Sequence, residues 1–256
     1  MARYQAILAY DGTRFQGFQR QKSARTVQGV VEKALQAVGW QGRSILAAGR
    51  TDTGVHASGQ VIAFDMLWSH PTADLLTALN ANLPVDVAVR QISSASGDFH
   101  PRYAALARKY HYRLICDEIR QPLRERYAWR VWPQVSLALL ESVAGYLPGK
   151  HDFAAFGAPY RTGGSTMREV SSAIWYAEGS EIVFEIVGNA FLYHMVRRLV
   201  FFMVKVGQGT LKPESILDHF ENEKLPAVQG LAPSHGLFLV EVIYPSGGRT
   251  PRLSGR

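Results

Sequence analysis

Two hydrophobic periods alternate along this chain of 256 residues, and their order constrains the fold more than any other feature. Between Val27 and Val38 apolar residues recur every three or four positions, which is the period of an amphipathic helix. Thr26 before this stripe and Gly39 after it are typical start and stop signals. Residues 105–115 instead alternate between apolar and polar, as a strand does. Each half follows a β-α-β-β-like order, so we predict an α+β protein.

The remaining segments extend this prediction over the whole chain. Phe191–Val206 is apolar nearly all round and is predicted to be a buried helix. Further strands are predicted at 4–10, 44–48, 60–65, 85–93, 167–176, 181–187 and 237–243, and further helices at 71–80, 135–147 and 213–220. We therefore expect two α+β subdomains sharing a sheet, 1–104 and 105–245, followed by a flexible basic tail, 246–256. The boundary carries basic and aromatic residues, so we expect it to line a cleft.

The charge of the chain indicates a polyanionic partner. The net charge is +7 at pH 7 and the isoelectric point is about 9.6. Arginine side chains bind phosphate with a forked geometry and stack on rings, and aromatic residues stack on unpaired bases. Arginines stand beside aromatics and glycines at 99–103, 108–113 and 160–164. This pattern favours RNA as the partner.

The cysteine content and the hydropathy of the chain indicate the compartment in which the protein is expected. Cys116 is the single cysteine, so neither a disulfide framework nor a cysteine-based zinc site can form within the chain. A reducing cytoplasm fits this composition. No apolar run approaches the roughly 18 residues that a membrane span needs. We expect a cytoplasmic protein without a metal ion or a membrane anchor.

Residues 47–61 hold the densest set of reactive groups. Thr51, Asp52 and His56 lie there among three glycines, between two predicted strands. Asp before glycine is common in turns, so a turn or cap role for Asp52 stays open from the residues alone. His56 and His194 are interpreted as hydrogen-bonded histidines at the edge of the core.

Several enzyme classes fit this segment poorly. A phosphate-binding loop would need a Gly-Lys-Ser/Thr ending or a G-x-G-x-x-G pattern, and both are missing. Residues 52–54 read Asp-Thr-Gly, but an aspartic protease needs two carboxylates that share a proton, and no second copy occurs. Serine hydrolases and zinc hydrolases are disfavoured because G-x-S-x-G and H-E-x-x-H are absent.

One family accounts for this segment and for several others. Residues 49–57 read Gly-Arg-Thr-Asp-Thr-Gly-Val-His-Ala and closely resemble the catalytic motif of the TruA family of tRNA pseudouridine synthases. The resemblance runs from about Tyr4 to Tyr244. Further matching segments, in the same order as in the family, are 10–12 with 17–21, 80–84, 98–102, 107–112, 188–197, and 232–233 with 236–239.

The resemblance implies a fold and an activity. The fold would be the pseudouridine synthase fold, two ferredoxin-like subdomains that share a mostly antiparallel sheet, with the catalytic cleft between them. The activity would be the isomerisation of uridine to pseudouridine at positions 38, 39 and 40 in the anticodon stem-loop of tRNA, without cofactor or metal. Family members are homodimers. A non-catalytic RNA-binding or tRNA-chaperone protein on the same scaffold is the alternative.

The resemblance also assigns site residues. Asp52 would be the essential carboxylate, Arg197 the guanidinium that keeps it ionised, and Tyr110 the ring against the target base. An arginine within so apolar a helix would be costly to bury alone, so Arg197 is independently expected to have an acidic partner. Arg50 would help to hold the flipped nucleotide. Candidate tRNA contacts are His100, Arg102, Arg161 and the basic tail.

Overall fold

The computed structural model of the chain describes residues 1–221 and 226–245. The described residues form two compact units, one made of Met1–Arg108 together with residues 239–245, the other of residues 109–221 and 226–238. The last strand therefore groups mostly with the first unit, whereas the sequence-based division placed it in the second half. The predicted domain limits, 1–104 and 105–245, stay predictions. The predicted basic tail, 246–256, lies outside the described residues.

Strands and helices alternate as an α+β protein requires. In chain order the elements are β1 (Ala2–Tyr10), α1 (Val27–Ala37), β2 (Leu46–Ala47), β3 (His56–Met66), α2 (Thr72–Asn82), β4 (Val87–Ala95), β5 (Ala107–Cys116), β6 (Trp129–Val131), α3 (Leu137–Ala144), β7 (Gly149–Asp152), β8 (Met167–Glu178), β9 (Glu181–Gly188), α4 (Met195–Gly207), α5 (Ser215–Glu221) and β10 (Leu237–Ile243). The predicted α+β class with a mostly antiparallel sheet is confirmed.

The first unit is built on β1. This strand pairs antiparallel with β3 on one side and with β4 on the other, and β2 adds two residues beside β3. Alternate β1 residues from Tyr4 to Tyr10 are buried, which matches its two-residue period. Helix α1 begins where the sequence predicts, because the Thr26 side chain accepts a hydrogen bond from the Gly29 N–H. It ends before Gly39, whose φ is +95°.

The second unit carries an antiparallel series of strands, β7-β8-β9, and a long buried helix. The predicted hairpin is confirmed: β8 pairs with β9, and Gly179 at its tip has φ +61°. β7 pairs antiparallel with β8, and β6 pairs parallel with β5. Helix α4 buries most of its length, including Met195, Leu199 and Met203, as an apolar helix should.

The start of helix α4 shows the largest difference from the helix boundaries predicted from the sequence. α4 begins at Met195 rather than at Phe191. Tyr193 forms an isolated antiparallel bridge with Ala158, and its N–H donates to the Ala158 carbonyl at 3.0 Å. His194 then adopts a left-handed conformation with φ +67°, which a helix interior excludes. A contact with a residue far away in sequence therefore delays the helix by one turn.

None of the helices within residues 1–221 and 226–245 has the combination of length and apolar character that crossing a bilayer requires.

Candidate active site

The loop that bears Asp52 lies in the first unit, between β2 and β3, and its backbone is held almost residue by residue. The Ala48 N–H donates to the Val61 carbonyl at 2.9 Å, and the Gln60 Nε2 donates to the Gly49 carbonyl at 3.0 Å. The Phe18 N–H donates to the Thr51 carbonyl at 3.0 Å. These bonds fix the loop before any substrate arrives, as a preorganised site requires.

Asp52 opens a tight turn. The Val55 N–H donates to the Asp52 carbonyl at 3.1 Å, and Gly54, the third residue of the turn, has φ +77°. A turn of this kind requires positive φ at its third position, and glycine adopts it without steric cost. Val55 is buried, whereas Asp52 remains half-exposed. The turn thus anchors its own end in the core and presents the carboxylate-bearing residue at the surface of the unit.

The segment that follows β1 packs directly against this turn, and two glycines allow the approach. A Cβ on Gly12 would lie 2.1 Å from the Val55 carbonyl oxygen, which no real side chain tolerates. Gly17 has φ +83°, and a Cβ there would lie 3.0 Å from the Thr51 carbonyl oxygen. The Tyr10 hydroxyl is 2.8 Å from the Thr51 Oγ1 in the core. These contacts give segments 10–12 and 17–21 a structural role beside residues 49–57.

His56 and His194 were interpreted as hydrogen-bonded histidines at the edge of the core. His56 is 1% exposed, and its Nδ1 accepts a hydrogen bond from the Gly12 N–H at 3.0 Å, so this part of the interpretation is confirmed. The same Nδ1 lies 3.2 Å from the Asp11 Oδ1. His194 is half-buried at the start of α4 and stacks on Tyr193, with the ring centroids 3.7 Å apart.

Three of the predicted RNA-contacting residues lie in the same unit as Asp52. Arg50 precedes it by two residues, and burial together with the neighbouring Arg102 guanidinium lowers the pKa of Arg50. His100 and Arg102 share one turn, in which the Arg102 N–H donates to the His100 Nδ1 at 3.2 Å. The ring of Tyr103, 75% exposed, packs against His100 with centroids 4.3 Å apart. Two cations and an exposed ring at one surface are suited to a polyanion with unpaired bases.

Sequence reasoning missed two buried polar residues that support this loop. Gln60 is fully buried in β3 and holds the Gly49 carbonyl. Arg108, 9% exposed, donates from Nη2 to the carbonyls of Ala48 and Arg102, at 3.1 and 2.7 Å. For Gln60 the available signal was a polar residue in a largely apolar strand, because such residues are rarely buried without a partner. Arg108 gives no such signal, since its strand β5 also contains Lys109, His111 and Arg113.

Arg197 lies in the first turn of α4, in the second unit. Its Nε donates to the Ala232 carbonyl at 2.7 Å, and its own carbonyl accepts from the Ala232 N–H at 3.2 Å. The 232–233 segment therefore holds both the backbone and the side chain of Arg197. Arg197 and Arg198 are half-buried, whereas the next residues of the helix are buried. The acidic partner expected for Arg197 stays a prediction.

Tyr110 and Tyr112 lie on β5 and differ in environment. Tyr110 is half-buried, and its ring meets the Phe191 ring edge-on with centroids 5.1 Å apart. Tyr112 is fully buried, and its hydroxyl donates to the Pro233 carbonyl at 2.7 Å. Burial raises the pKa of Tyr112 well above its usual value. Tyr112 is therefore a structural residue, and Tyr110 is the tyrosine with an exposed part.

The remaining candidate, Arg161, lies in an exposed turn of the second unit. The Gly164 N–H donates to the Arg161 carbonyl at 2.9 Å, and Gly163 has φ +75°. The structure thus brings Arg50, Asp52, His100 and Arg102 into one unit, and places Tyr110, Arg161 and Arg197 in the other. No set of three or more His, Cys, Asp or Glu side chains among the described residues is grouped as a metal site.

Comparison with known proteins identifies the family. The family model described as tRNA pseudouridine synthase matches residues 6–104 and 143–245. The tRNA pseudouridine synthase A of Limosilactobacillus fermentum is 36% identical over 251 residues, which are 96% of this chain and 97% of that protein. The protein of the same name from Pseudothermotoga lettingae is 38% identical over 95% of this chain and 100% of its own length, and that of Thermotoga maritima is 37% identical over the same shares.

Among solved structures, the crystal structure of a Cbf5-Nop10-Gar1 complex aligns with 78% of this chain and 45% of that chain, at 11% identity and a TM-score of 0.36, a likeness too slight to support any conclusion. The sequence comparisons do not depend on it. With a family model that covers most of its length and relatives that align from end to end, the chain belongs to the tRNA pseudouridine synthase family.

Proposed function

We propose that this protein isomerises uridine to pseudouridine at positions 38, 39 and 40 in the anticodon stem-loop of tRNA. The observation that carries the proposal is the Asp52 turn: the carbonyls of Gly49, Thr51 and Asp52 are each held by a hydrogen bond, while the Asp52 side chain stays half-exposed. A protein that only binds RNA gains nothing from a fixed carboxylate facing a polyanion.

The reaction requires one bond to be exchanged for another. The N1–C1′ bond of uridine breaks, the base turns, a C5–C1′ bond forms, the hydrogen on C5 leaves as a proton, and the freed N1 takes up a proton. A carboxylate can assist by attacking C1′, by adding to the uracil ring or by removing a ribose proton. We assign this carboxylate to Asp52 and leave the three routes open. The redox state of the substrate does not change, so the proposal involves no cofactor.

We assign supporting roles to three further residues. Arg197 would keep the Asp52 carboxylate ionised, because a nearby cation favours the charged form of an acid. Tyr110 would stack on the target uracil with the exposed part of its ring. Arg50 would fill the space left by the flipped nucleotide, since extruding a base costs a few kcal/mol that protein contacts can offset.

His100, Arg102 and Arg161 are proposed to contact the tRNA backbone. Arg102 is exposed beside the rings of His100 and Tyr103, which contact each other at a tilt of 38°, and Arg161 is exposed in its own turn. Each lost phosphate contact should reduce the slope of log affinity against log salt by about one. We expect this for Arg102→Ala and Arg161→Ala, measured by tRNA binding at several salt concentrations. Unchanged slopes in both variants would remove these residues from the interface.

The position of modification can be tested directly. The purified protein is incubated with a tRNA transcript that carries uridine at 38, 39 and 40, and the digested product is mapped by mass spectrometry after a pseudouridine-specific chemical label. The matched control transcript carries cytidine at the same three positions. We expect label at these positions in the first transcript and none in the control. Label at other uridines in both transcripts would reassign the target, and tight binding without label would favour the non-catalytic alternative.

We further propose that the protein acts in the cytoplasm as a homodimer. The single cysteine is consistent with a reducing compartment. Analytical ultracentrifugation at micromolar concentration should give about twice the mass of 28.4 kDa calculated for one chain. A monomer at all concentrations, with full activity, would contradict the proposed oligomeric state.

A further inference from the structure

Arg108 is a cation held inside the first unit by main-chain carbonyls. Only 9% of the residue is exposed. Its Nη2 donates to the Ala48 carbonyl at 3.1 Å and to the Arg102 carbonyl at 2.7 Å. Burying a guanidinium costs free energy unless its N–H groups donate hydrogen bonds. The two bonds therefore hold the side chain in this position. One nitrogen therefore joins two segments that lie more than 50 residues apart in the chain.

The two segments that Arg108 joins have different proposed roles. Ala48 leads into the loop that carries Arg50 and Asp52. Arg102 belongs to the turn at 99–103, which carries the proposed RNA contacts. That turn is also held at its other end, because the Tyr244 hydroxyl donates to the Pro101 carbonyl at 2.8 Å and the Arg3 Nη1 donates to the Phe99 carbonyl at 3.0 Å.

We propose that Arg108 is a positioning residue that sets the Asp52 loop and the 99–103 turn in one fixed arrangement, so that RNA held by Arg102 is aligned with the catalytic loop. The inference rests on the proposed function. Arg108 contacts neither segment's reactive side chains through these bonds. Through these two bonds Arg108 acts on the backbone, so the effect of the bonds on the reaction is one of geometry.

The chemistry of the guanidinium explains why arginine suits this place. The two N–H bonds of Nη2 lie in one plane at a fixed angle, so both carbonyls are held in direction as well as distance. A lysine ammonium can satisfy the same carbonyls, but it rotates and is shorter, so it does not impose that angle. Lysine should therefore preserve the fold better than it preserves the alignment.

A double-mutant cycle separates alignment from stability. The measured quantity is the single-turnover rate divided by the half-saturating enzyme concentration, determined with excess enzyme, together with the melting temperature. We expect Arg108→Met to lower this ratio by about 10- to 100-fold, which is the range for a displaced site. We expect Arg102→Ala to have an effect at least about threefold smaller in the Arg108→Met background than in the wild type, because contacting residues couple.

Arg161 supplies the matched control for the cycle. It is also a proposed tRNA contact, but it lies in the second unit. Arg161→Ala should lower the ratio by the same factor in both backgrounds. If Arg108→Met does not fold, Arg108→Lys takes its place, with a loss of at least about threefold and the same coupling to Arg102. Additive effects of Arg108 and Arg102, or a folded Arg108 variant with the wild-type ratio, would overturn the inference. An inactive wild type would instead overturn the proposed function.

Discussion

At the scale of single residues, the proposed site consists of side chains whose surroundings leave them little freedom. Arg197 is the example in the second unit, since Ala232 binds both its Nε and its carbonyl. A side chain with one nitrogen already engaged keeps the rest of its guanidinium in a defined direction. The neighbouring Arg198 is equally half-buried in the same helix turn. The two arginines therefore allow a comparison in which charge and helix position are matched.

We expect Arg197→Met to lower the single-turnover rate of pseudouridine formation by about 100-fold, because the proposed site then lacks the cation assigned to the Asp52 carboxylate. Arg198→Met should lower it by less than about threefold, apart from changes in tRNA affinity. Both rates are measured at saturating enzyme. Equal losses in the two variants would show that the site needs positive charge in this helix turn and not Arg197 in particular.

A second residue-scale prediction concerns pH. Burial lowers the pKa of His235. The Glu125 charge acts against this shift, and the Arg197 charge adds to it. The neutral form is therefore favoured in the folded state, and its contribution to stability is present above the unfolded-state pKa of about 6.5. It is lost as the pH falls below that value towards the folded-state pKa. Urea unfolding at pH 7.5 and pH 5.5 should show a smaller loss of stability for His235→Gln than for the wild type. Identical losses would contradict this role.

At the scale of elements, the Asp52 turn depends on the backbone freedom of one glycine. Gly54 has φ +77°, so Gly54→Ala should cost about 1–2 kcal/mol of unfolding free energy. Gly49 is the matched control in the same loop, because its φ is not in the left-handed region and a Cβ there would meet nothing within 4 Å. Gly49→Ala should leave stability within about 0.5 kcal/mol of the wild type. Urea denaturation measures the unfolding free energy of both variants. Equal losses in the two variants would mean that a side chain at position 54 does not strain the turn.

The helices also show which features of the fold can be predicted from the sequence. α1 was predictable because its cap, its stripe and its stop are all local to residues 26–39. The start of α4 was not predictable, since Tyr193 forms a bridge with Ala158, 35 positions away, and the next residue, His194, is left-handed. A hydrophobic period indicates that a helix is present, but a distant partner can decide where it begins.

At the scale of the whole molecule, the same distinction applies to the site. The motif at 49–57 could be recognised from its residues, and its turn follows from the glycine at 54. The residues that support the motif could not be recognised, because Gln60 and Arg108 donate hydrogen bonds to carbonyls 11 and 60 residues away in the chain. Every residue has a main-chain carbonyl, so the sequence does not show which carbonyl accepts such a hydrogen bond. Only the residue type of the donor is visible, and a polar residue in a strand is more often solvated than buried.

The most direct test of the account is the comparison of Asp52→Asn with the wild type on tRNA that carries tritium at C5 of uridine. Formation of the C5–C1′ bond releases this tritium to water, and tRNA binding is measured on the same samples. We expect Asp52→Asn to lose at least about 1,000-fold in release rate while its tRNA affinity changes by less than about threefold. Asp74→Asn, an exposed carboxylate in the first turn of α2, should release tritium like the wild type. Release by Asp52→Asn at the wild-type rate would contradict the central claim that the Asp52 carboxylate performs the chemistry.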